Sequence, residues 1–113
     1  RKGGGRALTL TELYQLLKQS GIPVTYSHYE EGQAPELPYI CYLEVGTANF
    51  FSEDTVYSKV IDVDIELYFE RKDLALEESI EQIFKNNKLP WNSTEVYIND
   101  EKLYQKTYEV RLL

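Results

Sequence analysis

The chain has 113 residues, 42% of them hydrophobic and 27% charged, which allows one compact domain with a modest core. A formal charge of −7 and a pI near 4.7 exclude a protein that grips nucleic-acid phosphates through clustered Lys and Arg. They do not exclude one past which nucleic acid slides. Apolar runs are too short for a transmembrane helix, and no secretory signal is read. The single cysteine, Cys41, rules out an intrachain disulfide and leaves a Cys-based metal site poorly supplied, so an intracellular folding compartment is expected. Ten tyrosines suit half-buried strand surfaces and protein–protein contacts, because each offers apolar area with a polar tip.

The opening RKGGGR is basic and Gly-rich. Residues 1–7 read as a flexible lead-in, and residues 8–113 as a single domain. A helix opens at Leu8-Thr9-Leu10-Thr11-Glu12-Leu13. Thr9 and Glu12 have capping-box spacing, and Leu8 with Leu13 makes the hydrophobic staple. Leu10, Leu13, Leu16 and Leu17 form its apolar stripe. Gly21 and Pro23 stop it.

Val24–Tyr29 alternates and predicts a strand. Residues 30–38, with one Gly and two Pro, read as a loop. Tyr39–Val45 is a second strand, and residues 46–55 are polar and turn-like apart from Phe50-Phe51. Val56–Glu70 is a long strand of period two. Tyr57, Ile61, Val63, Ile65, Leu67 and Phe69 share one face. Ser58, Asp62, Asp64, Glu66, Tyr68 and Glu70 share the other. Asp73 caps a second helix, with Glu77 and Glu78 near its positive end. Its buried stripe is Leu76, Ile80, Ile83 and Phe84, and Pro90 follows its end. Val96–Ile98 is a short strand, residues 99–101 a turn, and Lys102–Leu112 the last strand. The order α-β-β-β-α-β-β predicts an α+β fold, a mostly antiparallel sheet with two helices packed on one face.

The carboxylates of the long strand are the first candidate site. Residues at i, i+2 and i+4 stand roughly 7 Å apart on one strand face, whereas a divalent ion needs oxygens converging within about 2.0–2.6 Å of it. Parallel side chains on one strand converge poorly. Asp62, Asp64, Glu66 and Glu70 therefore read as a solvated face or as the lining of a channel or interface, not as a metal or acid/base site. His28, the only histidine, has no supported nucleophile read nearby. Cys41 sits in a strand with no electropositive neighbours and reads as a small buried apolar residue. Asn92-Ser93-Thr94 fits a glycosylation acceptor and is taken as accidental. Phosphate-loop, dinucleotide-loop, zinc-protease and calcium-loop patterns are absent. No catalytic residue, cofactor or metal is expected. Phe50 and Phe51, adjacent in a loop, with Tyr57 and Tyr68, are candidate subunit or partner contacts; Trp91 reads as core.

Two stretches, Pro38–Phe84 and Thr94–Leu113, resemble small virion proteins of tailed phages and prophages of Gram-positive bacteria. The likeness is carried by Pro38-Tyr39-Ile40-Cys41-Tyr42, a Phe-bearing loop with an acidic pair, Val56-Tyr57, and Glu66-Leu67-Tyr68. It continues through Lys72-Asp73 before a Glu-rich helix, Tyr97-Ile98, Glu101–Gln105 and Tyr108-Glu109-Val110. In plan the chain is similar to the tail terminators, or tail-completion and head–tail joining proteins, of long non-contractile tails. That resemblance implies a structural protein and not an enzyme. It implies a homo-oligomeric ring, a hexamer, that caps the tail tube, docks it to the head connector and lets DNA pass through an acidic lumen without specific binding. It also implies a place in the virion neck, with assembly in the host cytoplasm and no membrane contact. A head-side connector or minor capsid component is the alternative within the same class.

Overall fold

The computed structural model describes the backbone of residues 7–51 and 57–113, and side chains within those ranges outside residues 49–58. The element order is α1 (Leu10–Lys18), β1 (Val24–Tyr26), β2 (Tyr39–Phe51), β3 (Tyr57–Phe69), α2 (Leu74–Asn86), β4 (Trp91–Ile98) and β5 (Leu103–Leu112). This is the α+β order read from the sequence. One five-stranded sheet runs β1-β2-β3-β5-β4. It is antiparallel except where β1 pairs with β2 in parallel through Val24↔Ile40 and Tyr26↔Tyr42.

Local chemistry accounts for the helix ends. Thr9 accepts the Glu12 N–H while the Glu12 side chain takes the Thr9 N–H, closing the capping box. Asp73 caps α2 by accepting the Leu76 N–H. The residue after the α2 C-cap is Lys88 at φ +57, a position that glycine fills at less steric cost.

Three elements differ from their sequence-based bounds. β1 stops at Tyr26 because Ser27 takes φ +68 and turns the chain. β2 runs on to Phe51 through residues read as a loop. The backbone of that polar stretch is paired with β3, Thr47↔Ile61 through Phe51↔Tyr57, and strand pairing does not require apolar side chains. A bulge between Glu44 and Gly46 shifts its register. β4 begins at Trp91, five residues earlier than expected, because residues 91–95 pair with Lys106–Val110 of β5.

The core lies on one face of the sheet. Ile40, Tyr42, Val63, Ile65, Leu67, Phe69, Tyr108, Val110 and Leu112 form a single buried cluster with Leu13 and Leu17 of α1 and Ile80 and Phe84 of α2. Trp91 packs against it, its ring 6.0 Å from Phe84 and 5.5 Å from Tyr108.

An ionic network ties α2 to the sheet. Glu77, whose side chain is only 6% exposed, accepts from Lys106 Nζ at 3.1 Å and lies 2.8 Å from Lys72 Nζ, which also reaches Glu95 at 2.7 Å. Lys106 Nζ stands beside Glu77 Oε1 and Lys72 Nζ beside Oε2, so each carboxylate oxygen has an ammonium group next to it. Removing one partner strands the other charge in a dry site. Glu77→Ala is therefore expected to cost about 3 kcal/mol, read as a lower urea midpoint. Glu77→Leu with Lys106→Met removes both charges and should restore most of that loss.

Candidate functional site: the sheet face opposite the core

Strand register fixes which side chains share this face. On β3 the odd positions Val63, Ile65, Leu67 and Phe69 are buried in the core, so Asp62, Asp64, Glu66 and Tyr68 point the other way. Their cross-strand partners extend the face. Asp62 lies opposite Arg111 and Gly46, Asp64 opposite Glu109 and Leu43, Glu66 opposite Thr107 and Cys41, and Tyr68 opposite Gln105 and Tyr39.

The carboxylates grouped by the sequence pattern are not equivalent. Asp62 is held by a two-pronged contact: Arg111 Nε donates to Oδ1 at 2.8 Å and Nη2 to Oδ2 at 3.1 Å. That hydrogen bond is the main reason its pKa is lowered. Asp64 stands opposite Glu109, and no lysine or arginine among the described residues forms an ion pair with either. Burial first, and the Glu109 charge second, raise its pKa. Glu66 is half-buried, which raises its pKa, while the Tyr68 hydroxyl opposes the shift by donating to Oε1 at 2.9 Å. Glu70 lies beyond the last residue of β3 and is exposed, so it leaves the row of strand carboxylates and lines a separate cleft with Leu37, Pro38 and Phe69.

Tyrosines occupy the other end of the face. Tyr68 accepts from Gln105 at 2.8 Å and its ring lies 5.2 Å from Tyr39, which in turn meets Tyr29 at 5.1 Å. Burial beside this group pushes the Cys41 thiol up to about 11, a protonated and poorly nucleophilic state. The backbones of Phe50, Phe51 and Tyr57 pair across β2 and β3. Their side chains lie outside the described residues.

A cleft of about 330 Å³ opens on this face, lined by Val45, Asp62, Asp64, Asn92, Glu109 and Arg111 among others. Among the described residues no group of three or more His, Cys, Asp or Glu side chains converges as a metal site would require. Sequence reading overlooked one local arrangement. The Ser27 hydroxyl lies 3.0 Å from His28 Nδ1, and His28 Nε2 lies 3.3 Å from Glu30. The three side chains are neighbours in an exposed turn, where water competes for each hydrogen bond, and neither described cleft includes them.

No protein-family model matches this sequence, and no curated protein matches it. Among the described residues no helix is long and apolar enough to cross a membrane.

The Asp64–Glu109 opposition has a measurable sign. A carboxyl with a raised native pKa favours folding below its ordinary value, and that contribution is lost as pH rises through the native value. Asp64→Asn removes the loss together with the repulsion. It should stabilise the fold by about 0.5 kcal/mol near neutral pH and leave it unchanged below about pH 3, as read by thermal melts across that window. Asp62→Asn should do the reverse, destabilising above the ordinary Asp range, where the Arg111 pairing is present in the wild type.

Proposed function

We propose that this chain is a structural subunit of a phage virion, a tail terminator that assembles into a ring, caps the tail tube and joins it to the head connector. One observation carries the reading. The sheet face opposite the core presents Asp64 and Glu109 in register, without a described ion-pair partner, beside a shallow cleft. Like charges opposite each other cost stability. A surface that keeps them is explained if the negative potential itself is used. Repeated around a ring of subunits that each carry −7, such a face makes an acidic bore. A wall of that sign repels phosphates and lets a duplex slide instead of sticking. The ring needs no reaction, metal or cofactor for this. The resemblance of Pro38–Phe84 and Thr94–Leu113 to tail terminators and head–tail joining proteins suggests the place in the virion.

The test is mass by light scattering over a concentration series, at low and moderate salt, followed by sedimentation with purified tail tubes and with heads. The expected result is a discrete species near six times the 13.2 kDa chain, favoured by salt because screening relieves repulsion between acidic subunits, together with binding to tubes. A strict monomer that binds no tubes overturns the reading. Binding to heads alone overturns the terminator assignment in favour of a head-side component.

A further inference from the structure

Among the described residues the sheet has two unguarded edges. β4 is one. It is eight residues long, free of Pro and bulges, and its single charge, Glu95, is drawn to Lys72. Natural edge strands are usually blunted by lysines, proline, bulges or short length. The other is the outer half of β2. β1 covers only Ile40–Tyr42, and the Tyr26 hydroxyl then accepts the Glu44 N–H. From Val45 to Phe51 no described strand pairs with that edge. Past Ile61 β5 has also ended, so among the described residues Ala48–Phe51 and Tyr57–Val60 pair only with each other. A two-stranded ribbon is marginally stable alone. It also draws the molecule out to 52 × 26 × 22 Å, with a radius of gyration of 15.4 Å against about 13 Å for a compact chain of this length.

Exposed apolar side chains mark the same two edges. Tyr26 and Val45 flank the outer edge of β2, and Val96 and Tyr97 sit on β4, all four about half exposed. Register puts Tyr26 and Tyr97 on the core side of the sheet, through Tyr42 and Tyr104. Val96 lies on the opposite side, where Val45 lines the cleft with Asp62 and Asp64.

We infer that a second copy of this chain docks head-to-tail, β4 of one copy adding as a strand to the Val45–Phe51 edge of the next. Val96 then meets Val45 on one face and Tyr97 meets Tyr26 on the other. Placing Val96 opposite the Val45–Gly46 bulge in antiparallel register lays Trp91–Glu95 along Thr47–Phe51 with matching faces, and β4 ends at Ile98 before it would meet β1. The direction is also right. β2 and β4 run antiparallel within one sheet, and a rotation axis along the strands preserves each strand's direction in the next copy. The two surfaces differ, so the contact is heterologous and closes only as a ring. Main-chain hydrogen bonds supply the affinity and the flanking side chains the register. The inference rests on the self-assembly proposed above, and not on the place in a virion.

The experiment uses Val45→Cys and Val96→Cys in the full chain, with a short bis-maleimide and the wild type, whose Cys41 is buried, as control. Mixing the two variants should give a linked dimer, and the double variant a ladder of higher species, while neither single variant links to itself. Self-linking of Val96→Cys alone would mean a two-fold β4–β4 contact and overturns the inference. So does absence of linking in a sample whose mass is that of a ring, which leaves the ring reading standing. No linking and no oligomer at any concentration overturns both. Val96→Lys is the second arm: about a tenfold weaker association with an unchanged melting temperature is expected, and unchanged association overturns the inference.

Discussion

The double pairing of β3, with β2 on one side and β5 on the other, is the constraint from which the rest of the molecule follows. Its two-residue period sends Val63, Ile65, Leu67 and Phe69 into the core and Asp62, Asp64, Glu66 and Tyr68 to the opposite face. A slip of one residue would exchange the two sets, burying carboxylates and exposing the core. Because both neighbours are registered on β3, the same alternation is imposed on Tyr42, Tyr108 and Val110. The helices then have one apolar surface to join, through Leu13, Leu17, Ile80 and Phe84.

The two polar groupings of the fold follow different physics. On the core side, Glu77 and Lys106 are dry and close, so each is costly without the other. That network fixes α2 over Lys106 in the first half of β5 and, through Lys72, beside Glu95 of β4. On the opposite side the charges are half-exposed, and their pairing is uneven. Asp62 is neutralised by Arg111, while Asp64 is placed against Glu109. The resulting surface is acidic without converging on any point, an arrangement suited to repelling a polyanion or meeting another protein.

A long ribbon on a small domain has a related logic. With 113 residues the core is modest, and extending β2 and β3 beyond it adds backbone that the domain does not itself cover. In the proposed head-to-tail ring that backbone would become interface, and the bare edges of β2 and β4 would be consumed by closure. In the proposed assembly, acidic face and bare edges would serve together: the edges would join the copies, and the face would line what they enclose.

The sequence by itself determined the elements whose cause is local. The Thr9 capping box, the Asp73 cap and the apolar stripes placed both helices, and the alternation of residues 61–69 named the two faces of β3 and hence Asp62, Asp64 and Glu66 as one row. Only the tertiary structure decided what depends on neighbours. β2 through residues 46–51 and β4 from Trp91 are strands because a registered partner supplies their hydrogen bonds, which composition does not record. Glu77 read only as a residue favoured by the helix dipole; folding brings Lys72 and Lys106 to it from other elements. Asp62 and Asp64 are two residues apart in the same pattern, yet one is paired and the other opposed, because what faces each is set by β5. A strand's own period is written in its sequence; the charge across from it belongs to another part of the chain, and only folding brings the two together.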